Sequence, residues 1–270
     1  MPRIGNPFTK LYRHRDLVVQ FTRRELELRH KGSRLGHLWA ILKPMSMLAL
    51  YVFIFGEIFK GKFGVIPDET TFDFALGIFM GLSLFNVIGE AIGTAPLLIV
   101  NQPNFVKKVV FPLEVIPLSN VVTSVYHSFL SLALLLAIAP FSHSGVSWQG
   151  ALALPLLVLP LAFMALGLSW GLAAVGVFVR DISQLVPFIS TAIMYGSAVV
   201  YSPTKVDLSI RVFLRFNPLL QVINEARCIV LWHMAPNYGH IAYSYVTGVA
   251  ILAAGYALFS ILRPYFAEVI

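Results

Sequence analysis

Apolar residues gather along the chain into six long stretches, parted by short segments that hold most of the charges and prolines. The stretches run from Leu38 to Phe59, Phe74 to Leu98, Val115 to Pro140, Leu152 to Val179, Ile182 to Tyr201 and Ile241 to Leu262. A bilayer core of about 30 Å is crossed by roughly 20 consecutive apolar residues in a helix. The pattern therefore predicts an all-α integral membrane protein with six transmembrane helices. A membrane β-barrel would instead alternate apolar and polar residues over about ten at a time. The fourth and fifth runs are separated only by Arg180 and Asp181, a minimal turn at a membrane surface.

Ahead of the first run the pattern changes. Cations dominate from Arg13 to Lys31, yet at 100° per residue Leu17, Val18, Phe21 and Leu28 share an arc of about 100° on a helix. Glu25 and Arg29 intrude on that arc. Two readings fit. One is an amphipathic helix in the inner interface, its apolar face toward acyl chains and its cations toward headgroups; the other is a positively charged anchor and nothing more. Gly32 and Gly36 let the chain turn upright, and Pro44 falls in the first turns of the span, where its missing N–H costs least.

Composition agrees with the membrane reading: 57% of the 270 residues are hydrophobic and 12% charged, against about 25% charged in an ordinary domain. With the N-terminus inside, thirteen Lys and Arg residues fall on inner segments and six on outer ones, Lys43 being interfacial. That excess predicts both termini in the cytoplasm. It also assigns the net charge of +7 to the membrane surface rather than to nucleic acid. The first 34 residues hold no apolar core of a signal peptide, so the first span is expected to direct its own insertion. Cys228 is the only cysteine, so no intrachain disulfide forms.

Two connecting segments stand out. Between the second and third spans, NQPNFVKKVVFPLEVIP (Asn101 to Pro117) mixes three prolines, paired lysines and the aromatics Phe105 and Phe111. It reads as a short helix broken at both ends, either docking a cytoplasmic partner or resting on lipid. Ser202 to His240 is too long for a structureless loop in a compact protein. Its two apolar pieces, interrupted at Asn217 and Pro218, suggest short re-entrant helices that cap the outer mouth.

Catalytic chemistry is sparse. GEIFKGKF (Gly56 to Phe63) matches GxxxxGK, but Phe63 replaces the Ser or Thr that holds Mg²⁺ in a phosphate loop, and no strand precedes it. The histidines form no ligand cluster, so no metal site is expected, and no nucleophile signature occurs. Glu90, inside the second span, is the intramembrane ionisable residue that most needs a partner. It either bonds to polar groups of neighbouring helices or carries protons; His127 is a weaker candidate. Gly77 with Gly81, Gly89 with Gly93, and Gly167 with Gly171 are GxxxG pairs suited to close helix packing. Tyr51, Phe55 and Phe59 share one face of the first span, and Phe188 and Tyr195 one face of the fifth. With Tyr201 they either pack ordinarily or line a pore along which sugar faces slide.

Four blocks together resemble the ABC-2 family permeases that export polysaccharides such as O-antigen, capsule and teichoic acid. They are RREL with RHKGSRLGHLWAILKP, FVKKVVFPLEVIPL, VFVRDISQLV and FNPLLQVINEARCIVL, in the family's order along the chain. The resemblance implies a half-transporter of the bacterial inner membrane that acts as a homodimer with two copies of a cytoplasmic ATPase. ATP and Mg would bind to that partner, and this chain would hold no cofactor and carry out no catalysis. The implied layout is a cytoplasmic N-terminus with the interface helix over 1–34 and a six-span domain over 35–270. A coupling segment lies in 101–114 and an outer gate in 203–240. The resemblance assigns ATPase coupling to Asn104, Phe105, Lys107, Lys108, Phe111, Pro112 and Glu114. It assigns the outer gate to Arg211, Arg215, Asn217, Pro218, Glu225 and Arg227. The implied substrate is a polyprenyl-pyrophosphate-linked glycan, whose pyrophosphate the cations Arg23, Arg24, Arg29 and Lys31 would meet. Lys43 stands where the family often has Asn before the proline.

The rival expectations are an ABC-2 exporter of a drug or small lipid, and a proton-coupled secondary transporter using Glu90. A membrane-embedded transferase finds no catalytic constellation to support it.

Overall fold

The computed structural model describes residues 14–30, 33–107, 111–203 and 206–270. Within them the chain is helical, in eleven helices. These are α1 (Arg15–His30), α2 (Trp39–Tyr51), α3 (Thr71–Thr94), α4 (Pro103–Lys107), α5 (Val115–Ile138), α6 (Trp148–Phe178), α7 (Ile182–Gly196), α8 (Leu208–Leu214), α9 (Pro218–Val230), α10 (Tyr238–Leu262) and α11 (Phe266–Val269). A π-helical stretch, Val52–Ile58, continues α2.

Helix starts carry the caps that the sequence supplies. Thr70 and Asp73 form a reciprocal box at α3: the Asp73 amide donates to Thr70 Oγ1 at 3.2 Å, and the Thr70 amide to Asp73 Oδ2 at 2.9 Å. Ser147 caps α6, Asn217 caps α9 with Pro218 in the first helical turn, and Asn237 caps α10. Between α2 and α3 the loop wraps a buried carboxylate, Glu69, which accepts from the amides of Phe63 (2.9 Å) and Gly64 (2.7 Å). The segment that mimics a phosphate loop is thus a folded plug, with Phe63 buried in it.

α3 is the hub. It is buried along most of its length and packs on α5, α6, α7 and α9, while α2 stands at the edge with most of its surface exposed. The tightest pair is α6 with α10, whose backbones meet at glycine: a Cβ on Gly255 would overlap the Gly167 carbonyl. The Gly77 and Gly81 pair serves a different purpose. It makes room on α3 for the Phe63 ring and the Arg227 guanidinium rather than for another helix backbone.

Among the described residues, five helices are long and apolar enough to cross a bilayer: Trp39–Gly56, Thr71–Leu97, Val115–Phe141, Trp148–Phe178 and Tyr238–Val269. The remaining apolar stretch, expected to span from Ile182 to Tyr201, is helical only as far as Gly196. At 1.5 Å per residue α7 reaches about 22 Å, short of a bilayer core of about 30 Å. Where it ends, side chains from later in the chain take the carbonyl of its last residue and those of the turn that follows. Asn217 Nδ2 donates to Gly196 O at 2.9 Å, and Arg227 donates to Ala198 O and Val199 O.

Candidate functional site

α1 does not stand apart from the bundle. Leu17, Val18 and Phe21 of the expected apolar arc pack against the core, whereas Leu28 is exposed. The Phe21 ring lies 5.4 Å from that of Phe105 and 5.1 Å from that of Phe111, which are themselves 4.8 Å apart. Phe105 and Phe111, read from sequence as a surface for a partner, are therefore spent on holding α1; Phe111 is 9% exposed. Burial also claims Glu114, at 5% exposed. Its Oε1 accepts from Arg263 Nη1 at 2.6 Å, and its carbonyl accepts from Trp170 Nε1 at 3.2 Å. Asn104 and Lys107 remain exposed and Pro112 is half-buried. Lys108 and Lys31 lie outside the described residues.

Beyond Phe21, α1 carries Arg29 to Glu90 of α3 and His127 of α5. Arg29 Nη1 lies 2.7 Å from Glu90 Oε2 and 2.9 Å from His127 Nδ1, with the carboxylate and imidazole 3.3 Å apart. Arginine has no acceptor, so Nδ1 accepts from Arg29. One guanidinium nitrogen then serves both partners with its two hydrogens. Glu90 thus meets an ion-pair partner from α1 rather than the hydroxyls and amides considered from sequence. Arg23 and Arg24 are exposed, Arg24 lying 5.9 Å from the Phe21 ring centroid.

This triad forms part of the wall of a cavity of about 780 Å³ between α1, α2, α3 and α5. Sequence reasoning missed several of its members, including Ser33, Lys43 and Asn86. A signal was present: Ser83, Asn86 and Glu90 recur at i, i+3, i+7 and draw a polar line along an otherwise apolar span.

Of the aromatics, Tyr51, Phe55 and Phe59 form a continuous stripe with centroids 6.2 and 5.8 Å apart. Tyr51 lines the cavity, while Phe59, Phe188 and Tyr195 are exposed. Tyr201 donates its hydroxyl to the Tyr195 carbonyl at 2.7 Å. No described contact brings the α2 stripe and the α7 aromatics onto one surface within the single chain.

The gate residues divide. Arg211 and Arg215 are exposed. Glu225 is buried, accepting from the Asn237 amide at 2.9 Å and pairing with His240 Nδ1 at 2.8 Å. Arg227, at 1% exposed, donates to the carbonyls of Gly77 (2.8 Å), Ala198 (3.1 Å) and Val199, with its guanidinium 4.6 Å from the Phe63 ring centroid. These two charges, grouped from sequence with the gate, hold internal structure: carbonyl dipoles and one aromatic face neutralise Arg227 in place of a carboxylate.

Five helices fit to span a bilayer, with an ion-paired cavity among them, define a polytopic helical membrane protein. Residues 16–231 match the family described as ABC-2 type transporter, and the chain belongs to that family. The chain is 29% identical over 261 residues to an O-antigen export system permease protein RfbA of Myxococcus xanthus, covering 96% of this chain and 97% of that protein. To two proteins of the same description from Klebsiella pneumoniae it is 26% identical, over 258 and 255 residues, each covering 94% of this chain and 95% of the relative.

Proposed function

We propose that this chain is the permease subunit of an ATP-driven exporter that moves a polyprenyl-pyrophosphate-linked polysaccharide, O-antigen above all, across the bacterial inner membrane. The observation that carries this reading is the near end-to-end similarity to three proteins described as O-antigen export permeases. On this reading two copies form the channel, and α7 with the turns after it completes a sixth crossing, placing both termini in the cytoplasm. α1 lies at the inner interface, and α8 and α9 sit near the outer mouth. ATP and Mg bind to a separate subunit that docks on the α4 segment. Since Phe105, Phe111 and Glu114 are occupied inside the fold, docking falls to the exposed Asn104 and Lys107. The cargo slides past the α2 and α7 aromatics, which come together only when a second copy is present.

A drug exporter of the same fold has no specific observation in its favour. Arg29 already accounts for Glu90 without a shuttling proton, which weakens the secondary-transport alternative. The test is export itself. In cells lacking the gene, the chain with its co-encoded ATPase should restore surface polysaccharide, and a Lys107→Glu variant should lose both ATPase co-purification and export. Restored drug resistance without surface polysaccharide would reject the cargo assignment.

A further inference from the structure

His127 sits where a single proton reverses a contact between helices. Its Nδ1 accepts from Arg29 Nη1 at 2.9 Å, so the neutral ring carries its hydrogen on Nε2, which has no partner among the described residues. The nearby Ser131 hydroxyl is spent on the His127 carbonyl, at 3.1 Å, and does not hold the ring. The ring lines the cavity, and 16% of the side chain is exposed, which opens it to protons from water.

The ionisable groups around it come from the helices packed on α5. α1 brings Arg29, α2 brings Lys43 and Tyr51 to the same cavity, and α3 brings Glu90. On α5 itself the Tyr126 ring lies 5.8 Å from the imidazole, centroid to centroid. α6 carries no ionisable side chain anywhere along its length. Glu25, one turn before Arg29 on α1, forms no ion pair with Arg29 or His127 among the described residues. Among the described residues Glu90 is therefore the one acid lining the cavity, set against Arg29 and Lys43.

A proton on Nδ1 turns the acceptor into a donor. The ring can then no longer accept from Arg29, and it places a like charge 2.9 Å from Arg29 Nη1. A new acceptor is already at hand, because Glu90 Oε2 lies 3.3 Å from Nδ1. That same oxygen is the one Arg29 uses, at 2.7 Å. Arg29 thus loses one bond, must share the other, and meets a repulsion. The helices that carry these groups yield unequally: α3 and α5 are packed into the bundle, whereas no described side chain of α1 is fully buried. Arg29 is the group that gives way.

We propose that His127 is a proton-operated latch on α1: neutral, it helps Glu90 hold Arg29 and keeps α1 on the bundle, and protonated, it takes Glu90 for itself and loosens α1. Nothing in this latch depends on what the chain exports, and no proton needs to cross the membrane for it to work. Its sign is fixed by the geometry. Attachment is complete with the ring neutral and is lost on acidification through the range of about pH 5–8 in which histidine changes charge.

The test is amide hydrogen exchange of the purified full chain in detergent at about pH 7.5 and about pH 5.5, with every peptide corrected for its intrinsic exchange rate at each pH. Protection of α1 should fall about tenfold in acid, the scale of one charge-assisted bond, with α6 and α10 unchanged. His127→Asn puts an amide oxygen near the position of Nδ1, which accepts but does not titrate, and should keep α1 equally protected at both pH values. Arg29→Gln should leave α1 weakly protected at both, and it tests the same point if His127→Asn does not fold. Unchanged protection of α1 in the unmodified chain overturns the latch. An acid-induced loss that persists in His127→Asn or in Arg29→Gln also overturns it, because another group would then be the sensor. Equal loss over α1, α6 and α10 is acid unfolding of the whole chain and overturns it as well.

Discussion

Replacing Arg227 with Met removes, in one step, the donors to three carbonyls belonging to two different segments. Gly77 O is on α3, whereas Ala198 O and Val199 O lie in the turns after α7. A hydrogen bond from a charged donor contributes about 1.5–3 kcal/mol net, so three amount to roughly 4–9 kcal/mol before relaxation. Against this stands the relief of a buried cation's desolvation, several kcal/mol. That relief is already inside the net figure, and the carbonyls stay behind unpaired, so the loss wins. Allowing for backbone adjustment, we expect a net destabilisation of about 3–5 kcal/mol, which lowers Tm by about 10 °C at this chain length. Arg227→Lys keeps the charge without the planar fork and should lose about half as much. A double-mutant cycle sharpens the test. An alanine methyl at Gly81 overlaps the Arg227 guanidinium, so Gly81→Ala should cost less in the Arg227→Met background than in the unmodified chain. Thermal unfolding in detergent, followed by intrinsic fluorescence, reads every variant of the series. An Arg227→Met chain melting within about 2 °C of the unmodified one would refute the argument that carbonyl pairing, and not charge, explains the residue.

Three further outcomes follow from the packing. Phe21→Ala removes two ring contacts worth about 0.5–1.5 kcal/mol each and should speed amide exchange in α1 selectively, with α6 and α10 unchanged. Glu114→Ala leaves Arg263, 35% exposed on its side chain, free to reach water; it should cost about 1–3 kcal/mol and expose 101–107 to limited proteolysis. Burial, with the Glu225 carboxylate adding to it, pushes the Cys228 thiol up to about 11. The folded chain should therefore react with maleimide at pH 7 about a hundredfold more slowly than the unfolded chain, and equal rates would contradict the packing around α9.

The long apolar runs made the helices legible, because span length and continuous hydrophobicity are local properties. So was the break at Asn217 and Pro218, since a capping side chain followed by proline starts a helix wherever it occurs. What stayed hidden depended on pairings across the chain. Arg227 is grouped from sequence with the outer gate because nothing nearby in sequence announces that Gly77 and Val199 will surround it. Phe105 and Phe111 read as surface aromatics because their partner, Phe21, belongs to a helix some eighty residues away that reads from sequence either as an interface helix on lipid or as a charged anchor. The end of α7 is hidden in the same way: its composition allowed a full span, whereas the carbonyls of Gly196, Ala198 and Val199 are held by Asn217 and Arg227 from later in the chain.

These cross-chain contacts converge on one short segment. α4 touches α1 through Phe105 and Phe21, meets α11, and leads through the buried Glu114 both into α5 and onto Arg263 at the end of α10. If the ATPase bears on α4, as proposed above, its push has three ways to travel. α5 and α10 are packed into the body of the bundle, where displacement disrupts close-packed core contacts. α1 packs the half-buried Leu17, Val18 and Phe21 on the core and adds aromatic edges and one partly exposed ion pair, and none of its described side chains is fully buried. The least costly motion therefore shifts α1, and α1 carries Arg29. A displacement that begins at Lys107 thus reaches the Arg29–Glu90 pair, and with it the cavity, before it reaches the core.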